Sequence, residues 1–241
     1  MRQPHLVIKA RNGACDAVST TRLLDSLKWL ALCAMTVDHV NAALLARASE
    51  TMTLIGRVAF PVFVFAAAFG ALKTRAPRRY LIRLTLCALL AQPFFQLALG
   101  TPWWHLNTVF TLLWGVAAVL AWRGGRPWLA PLSLLPGLVS DYGWAGAAAV
   151  PAAAVMLAGS WPWQAAAALG FLWLGPQLWG LSSYLVVGLA ASAAAFLLWT
   201  RGQRQTTPAG ARYAFYVFYP LHLAILAGLR LLWQHMPAGP G

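Results

Sequence analysis

Acidic side chains are nearly absent from this chain: five Asp and Glu among 241 residues, against 18 Lys and Arg. Only 10% of residues are charged and 60% are hydrophobic, whereas a water-soluble domain carries about a quarter charged residues. A soluble fold of this length needs a polar shell that the sequence cannot supply. Its surface must instead meet lipid tails. Many apolar runs approach the roughly 17–25 residues of a spanning helix. They lack the alternating segments of about ten residues that mark a membrane barrel. The expected architecture is all-α, a polytopic transmembrane helical bundle.

Nine apolar segments are predicted, at about 25–46, 54–72, 80–100, 106–122, 128–140, 143–158, 162–176, 182–199 and 213–233. A basic cytoplasmic tail (1–22) precedes the membrane domain (23–236), and a Pro-Gly tail (237–241) is expected to be flexible. The basic residues test the count. Arg2, Lys9, Arg11 and Arg22 sit in the tail, and Lys73, Arg75, Arg78 and Arg79 in the second loop. Arg123 and Arg126 lie in the fourth loop, and Arg201, Arg204 and Arg212 in the eighth. The other loops hold only Arg47, beside Glu50, His105 and Asp141. The positive-inside rule then gives an N-in, C-out chain of about nine spans. Removing one helix would put a basic loop on the wrong side.

The net charge of +13 is explained by these loops. Nucleic-acid binding is not expected, because no basic stripe with interleaved aromatics occurs. Cys15, Cys33 and Cys87 form no CxxC or Cys/His spacing, so neither a disulfide framework nor a metal site is expected. Cys33 reads as an inert core thiol. The first apolar run holds Lys28, Asp38 and His39 without a small-residue cleavage site, and is expected to remain as a helix. Trp103-Trp104, Trp128, Trp161, Trp163 and Trp199 fit interfacial anchoring.

An ionisable residue at the centre of a spanning helix costs about 2.5–3.5 kcal/mol on insertion scales, so those retained are functional candidates. The first helix carries Asp38-His39-Val40-Asn41. Asp38 and Asn41 share a face, with His39 about 100° around. Lys28 precedes His39 by eleven residues, about 16 Å along the same face. A phosphate at one end and a reacting centre at the other would suit that spacing. Arg57 is expected near the depth of Asp38, either paired with it or binding an anion. Pro61 leaves the Arg57 carbonyl free and bends the helix. Arg83 either snorkels to headgroups or joins Lys28, Arg78 and Arg79 around an anionic cytosolic ligand. Gln92, Asn107 and Asp141 lie toward the outer side. His222 shares a face with Tyr219, its expected hydrogen-bond partner.

The blocks LKWLALCAMTVDHV, IGRVAFPVFVF, RYLIRLTLCALLAQPFF, LNTVFTLLWG, DYGWAGAAAV and FYVFYPLHL, in this order, resemble the TraX family. That family comprises inner-membrane proteins associated with N-terminal acetylation of conjugative pilin, within a wider group of membrane acyltransferases. The resemblance spans about residues 27–226. It implies a multi-pass protein of a bacterial inner (cytoplasmic) membrane, and acetyl transfer from cytosolic acetyl-CoA to an acceptor at or beyond the outer face. It carries over Asp38, His39, Arg57, Arg83, Asn107, Asp141 and His222 as candidates. On this reading His39 is the general base, with Asp38 orienting it or neutralising Arg57. Arg57 and Asn107 are candidates for the oxyanion. Asn41, Gln92, Asp141, Tyr219 and His222 support the acceptor side, and Lys28, Arg78, Arg79 and Arg83 hold the donor. No metal is required. The acceptor is a pilin-type amine or, alternatively, a hydroxyl of an envelope glycan. A proton-coupled transporter using Asp38, His39 and His222 is the non-enzymatic alternative.

Overall fold

The computed structural model describes residues 17–179 and 209–235, with side chains described for 27–170, Trp173 and 213–235. The basic tail up to residue 16, the segment 182–199, the loop of Arg201 and Arg204, and the tail 237–241 lie outside the described residues. The described chain is helical, without a strand. The elements are α1 (Ala17–Leu44), α2 (Glu50–Arg57), α3 (Ala59–Lys73), α4 (Pro77–Leu99) and α5 (Thr108–Arg123), then α6 (Leu129–Leu134) with a 3-10 helix (Leu135–Val139). They are followed by α7 (Gly143–Ala158), α8 (Trp161–Trp179) and α9 (Ala209–His235). Three of them are long and apolar enough to cross a membrane: α2–α3 taken together, α4, and Tyr213–His235 of α9.

Two predicted segments are built differently from single helices. The run 54–72 is interrupted at Val58, where α2 stops and α3 begins. Pro61 has no N–H for the Arg57 carbonyl, so the helix restarts there. The run 128–140 is a six-residue helix continued by a 3-10 helix. It nonetheless travels back along α5, because Leu106 and Ser140 form a bridge beside the start of α5. Leu106 N–H donates to Val139 O at 2.8 Å, and Asp141 N–H to Leu106 O at 2.9 Å. The greater rise per residue of the 3-10 turn lets a short segment cover that length.

Helix direction follows from side-chain ties at the two ends. Arg83 on α4 lies over Tyr213 of α9, and Arg230 of α9 donates to Ala98 O of α4 at 2.8 Å. Helices α1, α4 and α9 therefore run one way, and α3, α5 and α7 run back between them. The central helix is α3, whose Val64, Phe65, Ala68 and Ala71 are fully buried.

The packing is of the kind found in lipid. Ala88, Ala91 and Ala98 of α4 and Leu223, Leu226 and Ala227 of α9, two helices that pack together, are buried, whereas Leu86, Leu89, Leu90, Val217, Leu221 and Ile225 face outward. Small residues inside let the backbones approach, and large ones outside have hydrocarbon as their solvent. Pro220 leaves the Tyr216 carbonyl without its helical donor, and the Cys87 thiol donates to it at 3.5 Å. Cys33, expected in the core, is exposed on the outward face of α1. Among the expected anchors, Trp103, Trp128, Trp161 and Trp163 are exposed at helix ends or in the adjoining loops.

Candidate functional site

The loops 45–49, 100–107 and 140–142 gather at one end of the bundle, and most buried polar side chains lie beneath them. Local sequence explains the frame. Asn41 Nδ2 donates to Ser49 O at 2.7 Å and to Thr53 Oγ1 at 3.0 Å, and its Oδ1 accepts from Ser49 N–H at 3.1 Å. Ser49 caps α2 by accepting from Met52 N–H. The short helix is thus pinned to α1. One turn back, Asp38 lies on Gly56: a Cβ there would sit 2.2 Å from Asp38 Cβ. Asp38 and Asn41 do share a face, and that face is the seat of α2.

His39, about 100° around α1, faces α9 instead. Its Nδ1 is 2.8 Å from His222 Nε2, with the rings parallel and their centroids 5.1 Å apart. The His222 Nδ1 is 3.1 Å from Phe218 O. A carbonyl only accepts, so His222 carries its proton on Nδ1 and presents a lone pair at Nε2. His39 must then donate from Nδ1, which leaves its own Nε2 as a lone pair. That atom has no hydrogen-bond partner among the described residues, and His39 lines a cavity of about 400 Å³. Tyr219 packs edge-on to His222 at 5.4 Å, so the expected hydrogen-bond partner is replaced by His39 and a carbonyl.

Arg57, Asp38, Arg47, Asp141 and Tyr142 share this cavity with His39. The Asp38 carboxylate lies 3.8 Å from Arg47 Nη1. Arg47, from the loop 45–49, rather than Arg57 alone, supplies its counter-charge. Arg47 is held at φ 62° in a left-handed turn, and its N–H donates to Asn41 O. Arg57 lies beside Tyr142, and its Nε is buried without a hydrogen-bond acceptor among the described residues. Phe60, one turn on, stacks on Tyr142 at 3.7 Å. The sequence block Gly56-Arg57-x-x-Phe60-Pro61 thus has a physical reading: close approach, cavity cation, wall and helix break.

Asp141 is fixed from a second direction. Thr108 Oγ1 donates to its Oδ2 at 2.6 Å, and His105 Nε2 lies 3.6 Å from its Oδ1. The adjacent carboxylate holds the His105 pKa above the ordinary histidine value, with partial burial acting the other way. Arg47, His105, Thr108 and Tyr142 were not singled out by sequence as site members. The signal for His105 and Thr108 was their closeness to Asn107, and for Tyr142 its place after Asp141.

Asn107 and Gln92 are brought together but not into the cavity. Asn107 Nδ2 donates to Ala88 O at 2.8 Å and to Gln92 Oε1 at 2.9 Å, and its Oδ1 caps α5 through Val109 N–H. Gln92 Nε2 donates to His105 O at 2.7 Å. Both amide hydrogens of Asn107 are therefore occupied, which leaves none for an oxyanion. Asn107→Ala should cost about 2–4 kcal/mol, through a lost cap and orphaned buried groups. Denaturation of the purified protein in detergent measures it.

Lys28 and Arg83 meet at the opposite end. Lys28 Nζ lies 5.3 Å from the Phe215 ring, and Arg83 5.4 Å from the Tyr213 ring. Two cations from different helices thus converge on the first turns of α9. Arg78 and Arg79 lie in the first turn of α4 on the same side.

The family model described as TraX protein matches residues 23–230. The chain is also similar to a probable fimbrial assembly protein FimC, serogroup H1, of Dichelobacter nodosus. The two are 28% identical over 244 residues, covering 86% of this chain and 96% of that one. No solved structure matches.

Proposed function

The chain belongs to the TraX family, and from that premise we propose that it is a membrane acetyltransferase serving a pilin-type protein. The observation that carries this reading is the directed histidine pair, which leaves His39 Nε2 as a lone pair in the cavity. The reaction moves an acetyl group from the thioester of acetyl-CoA to an amine. The amine nitrogen attacks the thioester carbon, His39 Nε2 takes a proton from it, and the C–S bond breaks. The proton passes to the departing sulfur, giving an N-acetyl product and free CoA. Arg57 Nε, a buried donor without an acceptor among the described residues, suits the oxyanion that forms between the two steps.

The donor enters from the end where Lys28 and Arg83 gather, with Arg78 and Arg79 beside them, and its phosphates meet those cations. The orientation is N-in and C-out, with nine crossings. The parallel course of α1 and α9 supports an odd number of crossings, and the return of 126–140 along α5 supplies one of them. The bilayer is that of a bacterial inner membrane.

The test is label transfer from radioactive acetyl-CoA in membranes that contain the protein and its envelope partners. Label in a protease-sensitive fraction is expected. Label confined to extracted glycan would make the acceptor a sugar hydroxyl, and none above a vector control would remove the acetyltransferase reading.

His222 acts through His39 and is a positioning residue. His222→Leu deprives His39 Nδ1 of its acceptor and is expected to slow transfer on the order of 10²-fold, the low end of what a positioned base contributes. His222→Gln, whose amide oxygen accepts, should retain more. Equal losses in the two variants would assign His222 to packing.

A further inference from the structure

Three acceptors in the cavity have no donor within hydrogen-bonding distance among the described residues, though a basic side chain stands near two of them. They are His39 Nε2, Asp38 Oδ1, which is buried without a hydrogen bond, and Asp141 Oδ1, whose neighbour His105 stands 3.6 Å away. That last distance is beyond hydrogen-bonding reach. The other oxygen of Asp141 is already engaged by Thr108, which fixes the direction in which Oδ1 points. Two of the five carboxylates in a chain of net charge +13 line this single cavity. Asp38 Oδ1 is buried, whereas the Asp141 side chain is 30% exposed and so open to a ligand that brings N–H or O–H groups. A hydroxyl brings one such hydrogen. An ammonium brings three, and its charge suits Asp141, since Arg47 already stands against Asp38 and Arg57 lies beside Tyr142.

We propose that Asp141 is the acceptor-docking residue, and that it selects a protonated amine over a hydroxyl by binding the ammonium at Oδ1 in place of the loose contact with His105. The inference rests on the acetyltransferase reading and names the acceptor chemistry for that site. A chain's α-ammonium titrates near pH 7.7–8.0 in water and higher beside a carboxylate, so the docked group keeps its proton until it moves off Oδ1 toward the thioester. That proton leaves by the half-exposed His105 to water. The neutral amine then attacks the thioester, and its second proton goes through His39 to the sulfur. The net products are the amide, free CoA and one proton.

Two synthetic peptides serve as probes, one with a free α-amine and one beginning with the corresponding hydroxyacid. The full chain is reconstituted in lipid nanodiscs. Wild type should bind the amine peptide more tightly by calorimetry, and Asp141→Asn should weaken that binding about tenfold or more, the loss of one charge-assisted bond. The KM for the amine peptide should rise by a similar factor, while kcat changes much less. Asp141→Glu should recover most of the affinity. His105→Gln removes a competitor for Oδ1 and should lower KM.

Equal binding of the two peptides by wild type, or the same loss for both in Asp141→Asn, overturns the proposal. A higher KM in His105→Gln also overturns it, since that would make His105 part of the dock. Amine-selective binding without acetyl transfer would sustain the docking role and refute the acetyltransferase reading. Transfer without amine selectivity would do the reverse.

Discussion

His39→Ala is expected to reduce acetyl transfer in membranes by about 10²–10⁴-fold, the usual contribution of a positioned general base. The reasoning runs through a single nitrogen. Phe218 O sets the tautomer of His222, His222 sets that of His39, and His39 Nε2 is left as the lone pair that serves as base in the proposed mechanism. Truncation removes the base. It also removes one buried hydrogen bond between α1 and α9, worth about 1 kcal/mol. The remaining packing of α9 against α4 should keep the protein inserted and folded. His39→Gln retains much of the size and a donor but provides no basic nitrogen, so it should be nearly as slow. Fractionation and detergent melting curves separate lost chemistry from lost protein. Transfer within tenfold of wild type in both variants would show that the base lies elsewhere.

Gly56→Val should have the largest effect on the fold. The added Cβ alone would lie 2.2 Å from Asp38 Cβ and 2.8 Å from its Cγ. Those atoms stand next to the α1 backbone and cannot swing aside as a long side chain would. Helix α2 has to move off α1, and Ser49, Thr53 and Arg57 move with it. Overpacking of this kind costs about 1–3 kcal/mol, and displacement of Arg57 opens the cavity. We expect a lower melting temperature together with loss of transfer. Gly228→Ala is the control: nothing lies within 4 Å of a Cβ at that position. Helix propensity favours alanine there by up to about 1 kcal/mol, so the melting temperature should hold or rise. Similar outcomes for the two variants would refute the close-approach account of Gly56.

Much of the helix order was legible because lipid imposes one rule, that backbone groups be satisfied within helices. The apolar runs and their basic interruptions therefore read directly as elements. The break at Val58 was also readable, since proline removes a specific donor. What sequence hid was the partner of each polar group. Arg57 was expected at the depth of Asp38, as its partner or as an anion site, but the ion pair on Asp38 comes from Arg47. No periodicity predicts that a turn at positive φ folds a loop arginine back over the helix. Asn107 looked available for chemistry because a sequence displays an amide without its acceptors. Its neighbours Ala88 and Gln92 belong to another helix. His39 and His222 were each picked out as ionisable groups in apolar surroundings. Their contact could not be inferred, since residues 183 positions apart share no local pattern.

That separation has a bearing on biogenesis. At about 5–20 residues per second, the ribosome needs roughly 10–40 s after making His39 to deliver His222. During this interval α1 is in the membrane with its histidine in no fixed tautomer. On the proposed mechanism, the proton path forms only when the final helix docks, so synthesis itself acts as a checkpoint. Copies that stall, or are clipped before α9, do no chemistry on whatever thioester they meet.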